Sequence, residues 1–176
     1  MAGISTDKEK LNCTLEKACS ILHKNDINDW FIFFGTLLGI VRENSCIQGD
    51  DDLDIMINCD YQKLRSAFEA EGFRFTSRFG IKNPDTILKT EPCDKYASFD
   101  FYMCNVNESG DFHTPWHGVV STDSYVNVDT KTFIYKEWSS TVLQLPNNYE
   151  SKVINMYGSN WKVPRSGSCR MHIGKV

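Results

Sequence analysis

No stretch of this chain approaches the roughly 20 consecutive apolar residues that a membrane-spanning helix needs. The first residues, Met1 to Glu9, are polar and lack the apolar centre of a secretion signal. The chain therefore reads as cytoplasmic as written, or as a trimmed lumenal domain. Positive charge is short as well. The 19 Lys and Arg are outnumbered by 23 Asp and Glu, for a net charge of -4 and a pI of about 5.5. That excludes the broad basic footprint of a nucleic-acid-binding protein. The seven cysteines, at 13, 19, 46, 59, 93, 104 and 169, include no Cys-x-x-Cys pair. An odd, unpatterned set points to free thiols in a reducing compartment rather than to a disulfide framework. Repeats, low-complexity tracts and interdomain linkers are absent too. What remains is 176 residues, 41% of them hydrophobic and 24% charged, enough for one soluble domain with a real core at about residues 7–165.

Against that background one stretch stands out, Asp50-Asp51-Asp52-Leu53-Asp54-Ile55-Met56-Ile57. Four carboxylates in five positions repel one another, and a folded chain keeps them where a cation neutralises them. Leu53, Ile55 and Ile57 alternate with Asp52, Asp54 and Met56, the period of a β-strand. The acids then share one face, with Asp50 in line, and the apolar residues share the other.

The rest of the chain supplies the surroundings. Leu11, Leu15, Ala18 and Leu22 are spaced as one face of a helix over residues 7–24. Trp30 to Phe34 reads as a buried strand stopped by Gly35, and Thr36 as the cap of a helix through Val41. A helix is predicted over residues 61–71, and strands over 73–79, 86–90 and 97–103. The last of these carries Asp100 between Phe99 and Phe101, an acid that needs a partner there. Residues 107–130 read as a long functional loop with short strands, and Thr141 to Leu145 alternates weakly. Asn147 or Asn148 is expected to cap a helix ending at Gly158. The basic last dozen residues read as a loose tail.

Three features then fall in order: Gly35-Thr36 at a helix start, the acids Asp52 and Asp54 on a strand, and Asp100 on a neighbouring strand. A helix N-terminus offers N–H groups and a favourable dipole to a phosphate. Two carboxylates on one strand face can hold Mg²⁺ (or Mn²⁺), and a third can complete the site as ligand or as base. Other readings are weaker. A calcium loop fits Asp50, Asp52 and Asp54 but fails at Ile55, where Gly is needed, and at Tyr61, where Glu is needed. Cys93, Cys104, His113 and His117 have no spacing diagnostic of zinc. Lys89 and Lys136 read as surface residues, with phosphate-binding cations as the alternative. Trp116 reads as a stacking surface, and Tyr157, Trp161 and Pro164 as packing anchors. Asn12-Cys13-Thr14 and Asn107-Glu108-Ser109 match the glycosylation triplet, which is common by chance.

Over its length the chain resembles the LicD/fukutin-related family. The resemblance is carried by Gly35-Thr36-Leu37-Leu38-Gly39-Ile40-Val41-Arg42, by Asp50-Asp51-Asp52-Leu53-Asp54-Ile55, and by Tyr157-Gly158-Ser159-Asn160-Trp161-Lys162-Val163-Pro164. Gln48-Gly49 stands where that family typically has Pro-Trp, a departure that removes no metal ligand. The resemblance implies an α/β (α+β) nucleotidyltransferase-like domain, a mixed sheet flanked by helices. It implies a Mg²⁺-dependent phosphotransferase that moves a phosphocholine- or ribitol-phosphate-like group from a CDP-linked donor to a sugar or glycan hydroxyl. Asp52, Asp54 and Asp100 would be catalytic residues and metal ligands, with Gly35, Thr36, Arg42 and Asp50 on the donor. A nucleotidyltransferase moving NMP from an NTP is the alternative, and a non-catalytic nucleotide- or metal-binding module is the alternative of another class.

Overall fold

The computed structural model describes residues 6–76 and 86–164. Its elements run α1 (Lys8–Lys24), β1 (Trp30–Ile32), α2 (Phe34–Glu43), β2 (Asp52–Ile57), α3 (Tyr61–Glu69), β3 (Ile87–Lys89) and β4 (Ser98–Met103). After these come the short strands β5 (Asn105–Val106), β6 (Phe112–His113) and β7 (Val120–Ser121), then β8 (Ile134–Trp138), β9 (Thr141–Leu145) and α4 (Tyr149–Tyr157). The later part of the 73–79 strand and the basic tail lie outside the described residues. No helix among the described residues is long and apolar enough to cross a membrane.

The central sheet has four strands in the order β1-β2-β4-β3. The β2–β4 pair is parallel, and the outer pairs β1–β2 and β3–β4 are antiparallel. Both faces are covered, so β2 and β4 are buried almost throughout. Leu53, Ile55 and Ile57 share one face with Phe99 and Phe101, as their register requires. On that face Phe101 stacks on Phe99 and meets Phe68 of α3 edge-on. Against the other face lies an aromatic cluster in which Phe31 touches Phe33, Phe112 and Phe133. Each such ring pair contributes about 0.5–1.5 kcal/mol beyond the burial of its area.

Several local expectations need correction. Thr36 does not cap α2. The helix begins at Phe34, with Phe33 in the cap position and no side-chain bond to the helix N-terminus. Phe34 has φ of 42°, costly for a bulky side chain. Packing on Phe33 and Tyr102 holds it there. Asn148 does occupy the cap position of α4, again without a side-chain cap. Asn147 and Asn148 instead donate to Asp123 Oδ2 at 3.0 and 3.2 Å, fixing the helix start to the preceding loop. The strand β8 is additional, and it pairs with β9 as an antiparallel hairpin. Trp161 is a buried anchor and Tyr157 half-buried, whereas Pro164 is exposed. Asn12 spends its side chain on the 45–46 loop: Oδ1 accepts from the Cys46 N–H at 2.9 Å. The cysteines among the described residues are unpaired, and burial pushes the thiols of Cys19 and Cys46 up to about 12.

Candidate functional site

The register of the central sheet assembles the acids. In the parallel pair β2–β4, Asp54 lies directly beside Asp100. In the antiparallel pair β3–β4, Lys89 lies beside Asp100 on its other side. Paired positions face the same way, and Asp52 precedes Asp54 by one full pleat. Asp52, Asp54, Asp100, Lys89 and Tyr102 therefore share one face of the sheet. The Lys89 ammonium sits 2.9 Å from Asp52 Oδ2 and 2.7 Å from Asp100 Oδ1. The Tyr102 hydroxyl donates to Asp54 Oδ1 at 3.3 Å.

The helix α2 is joined to this face at its first turn. The Thr36 hydroxyl accepts the N–H of Asp54 at 2.8 Å. It is buried and spent on a buried backbone donor. At Gly35 a β-carbon would stand 2.7 Å from Asp50 Oδ2 and 3.6 Å from Asp54 Oδ2. The glycine thus lets the helix backbone lie against two carboxylates. Asp50 precedes β2 in a loop tied by the Thr6 N–H to the Asp50 carbonyl, 2.9 Å. Asp50, Asp51 and Asp52 bring one oxygen each within 4.8 Å of one another. Among the described residues this is the tightest carboxylate group, whereas the sequence singled out Asp52, Asp54 and Asp100.

Burial governs the charges. Asp54 is 7% exposed and Asp100 is 8% exposed. Desolvation, followed by Asp52 and Asp100, raises the Asp54 carboxyl well above the usual range. Desolvation, followed by Asp52, lifts Asp100 to about 7. Asp50 rises to about 6 for the same reasons, and burial also raises Asp52. For Lys89, burial pulls downward and the Asp100 and Asp52 carboxylates outweigh it, so its ammonium is held charged. One ammonium does not satisfy this set. Asp100 Oδ1 is buried without an aligned hydrogen-bond donor, although Lys89 meets it as an ion contact. Clustered, partly or fully buried carboxylates that share one ammonium are a set of hard oxygen ligands that fits a divalent cation of the Mg²⁺ type.

The remaining sequence candidates are placed differently. Arg42 lies in the last turn of α2, seven residues beyond Gly35 and so about 10 Å along the helix axis. Its Nε donates to Glu43 Oε1 at 2.8 Å. Trp116 is half-buried in a short 3-10 turn with its ring against His117. Cys93, Cys104, His113 and His117 form no metal-ligating group among the described residues. Two residues of the carboxylate face were missed or misread. The sequence places Lys89 on the surface or on a phosphate, not between two carboxylates, and does not mark Tyr102. The alternation Ile87-Leu88-Lys89 carries the hint, since it sets one cation at a strand position that can face Asp100. The antiparallel register that brings them together is a tertiary fact.

Comparison with known proteins agrees with this geometry. No curated protein matches the chain. Among solved structures, the lincosamide antibiotic adenylyltransferase LnuA, crystallised with lincomycin bound, has a similar fold, with a TM-score of 0.54. The two are 13% identical, and the match covers 86% of this chain and 86% of that one. The family model for the LicD/FKTN/FKRP nucleotidyltransferase domain matches residues 28–166. That span takes in the Gly-Thr helix start, the Asp strand, the Asp100 strand and the terminal Tyr-Gly-x-x-Trp element, so the chain belongs to the LicD/FKTN/FKRP nucleotidyltransferase-domain family.

Proposed function

We propose that this protein is a Mg²⁺-dependent phosphotransferase of the LicD type, taking a phospho-alcohol from a CDP-linked donor and passing it to a sugar or glycan hydroxyl. The observation that carries the reading is the juxtaposition of Asp54 and Asp100 on adjacent parallel strands, with one ammonium, Lys89, shared between Asp100 and Asp52. Asp52, Asp54 and Asp100 are the residues to hold the metal. When bound, a divalent cation neutralises charge that develops on the transferred phosphoryl group.

The chain's own residues supply the rest. The first turn of α2 lies against the acidic face, and the missing side chain of Gly35 leaves room there for the Asp50 and Asp54 carboxylates. Thr36 positions Asp54 through its N–H. Asp100, beside Asp54 and facing the same way, serves as the third metal ligand or, in place of that, as base for the attacking hydroxyl. Asp50 borders both Gly35 and the carboxylates. Arg42 acts on the donor only if it leaves Glu43.

Calorimetric titration of CDP, CTP, GDP and ADP with Mg²⁺ tests the reading, beside a variant carrying Asp52→Ala and Asp54→Ala. The expected result is metal-dependent binding of cytidine nucleotides that the variant loses. CDP-alcohols then serve as donors, and CMP is the expected product. Release of pyrophosphate from an NTP would instead assign nucleotidyl transfer. Absence of nucleotide binding with and without Mg²⁺ would sink the mechanism and leave the fold in place.

A further inference from the structure

The position of Lys89 has a consequence for how the site is loaded. Its ammonium bridges two carboxylates that belong to different strands, Asp52 on β2 and Asp100 on β4. It reaches them from β3, which pairs with β4 on the side away from β2. Its side chain is 26% exposed, so the flexible stem is not locked in the core. One ammonium thus serves two carboxylates, at 2.9 Å on Asp52 and 2.7 Å on Asp100. A lysine ammonium is a compact point charge on a rotatable stem, unlike the rigid fork of arginine. It can therefore hold these two acids together and still be displaced.

We propose that Lys89 is the resident counter-ion of the carboxylate site: it bridges Asp52 and Asp100 until a divalent cation displaces it, and the released ammonium then turns to an anionic phosphate of the donor. The inference rests on the metal-dependent reading above and adds a sequence of events to it. One positive charge gives way to two at the same carboxylates. The freed ammonium stays within a side-chain length of the site, where a donor diphosphate brings the negative charge it has lost.

Metal titration without nucleotide reads the first event directly. Lys89→Met removes the competitor and keeps the length of the side chain. Mg²⁺ and Mn²⁺ are expected to bind Lys89→Met about tenfold more tightly than the wild type, equivalent to about 1.4 kcal/mol. In EDTA the variant is expected to melt at lower temperature, and saturating Mg²⁺ to restore most of the loss. With metal saturating, CDP is expected to bind the variant about tenfold more weakly. A residue that merely props up the sheet would lower the melting temperature without tightening metal binding. Equal metal affinity in the two proteins overturns this inference and leaves the phosphotransferase reading intact. Failure of both to bind any divalent cation overturns the phosphotransferase reading, and the inference with it. Should Lys89→Met not fold, crystals of the wild type soaked in Mn²⁺ decide the matter. Lys89 is expected to have left at least one of its two carboxylates, and an ion bound with both contacts retained overturns displacement.

Discussion

At Gly35 the side chain is missing because its space is taken. The backbone there is not in the left-handed region, so any residue could adopt the conformation. The demand comes from Asp50 Oδ2, 2.7 Å from where a β-carbon would stand. Gly35→Ala must push the Asp50 carboxylate or the first turn of α2 aside. Alanine also suits a helix better than glycine does, so global stability is expected to change little. Catalysis and metal-dependent nucleotide binding are expected to fall by as much as about a hundredfold, the scale of a misplacement of about 1 Å in a reactive site. Isothermal titration and thermal melting on the same variant separate the two effects. A parallel loss of melting temperature would mean that the glycine serves packing alone. Residues such as Gly35, Asp52 and Asp54 were legible because their types are informative in themselves. Lys89 was not, because a lysine in a short strand has many innocent uses and only the register with Asp100 gives it this one.

Among the elements, the joint between α2 and β2 matters most to the site. The hydroxyl of Thr36 takes the Asp54 N–H at the point where the two elements meet. Thr36→Val keeps the shape and leaves that buried N–H without an acceptor, at an expected cost of about 1–3 kcal/mol. Thr36→Ser keeps the acceptor and is expected to lose no more than about 1 kcal/mol, the value of one buried methyl group. Urea denaturation of the two variants checks the order, and equal losses would show that the methyl, not the hydrogen bond, matters here. The elements with clear patterns were readable in the sequence, α1, β2, α3, β4 and α4, and β9 from a weaker alternation. The Asp strand was readable for a second reason, since its acids and apolar residues alternate cleanly. The failures share a cause. Thr36 and Asn148 have side chains suited to capping, yet neither caps a helix: the Thr36 hydroxyl is claimed by the Asp54 N–H, and the Asn148 amide by Asp123. The strand β8 was missed because Lys136 and Glu137 interrupt its apolar pattern, and pairing with β9 makes good what the pattern lacks.

For the whole molecule, the site is a reservoir of unfavourable charge, and this makes its stability depend on pH in an unusual direction. Carboxylates in most proteins gain partners on folding and are lowered. Here Asp50 rises to about 6 and Asp100 to about 7, from an ordinary value of 3.8. Below about pH 4 these groups are protonated in both the folded and the unfolded chain. Between about pH 4 and about pH 7 the folded protein binds protons that the unfolded chain has released, so their contribution to stability falls as pH rises through that window. In EDTA the melting temperature is therefore expected to be lower at about pH 8 than at about pH 5.5. Asp100→Asn removes one of the raised groups, so the slope is expected to shrink and the variant to be the more stable protein at about pH 8 without metal. A divalent cation binds the ionised carboxylates and competes with protons for them. The rise in melting temperature on adding Mg²⁺ is therefore expected to be greatest above about pH 7 and to fade toward about pH 5. Melting curves across this range, with EDTA and with Mg²⁺, measure both trends on one plate. An identical slope in the wild type and in Asp100→Asn would show that the buried carboxylates are not the source. A Mg²⁺ effect that persists unchanged at about pH 5 would place the ion away from Asp50 and Asp100, because protons held by those acids at that pH would otherwise oppose it.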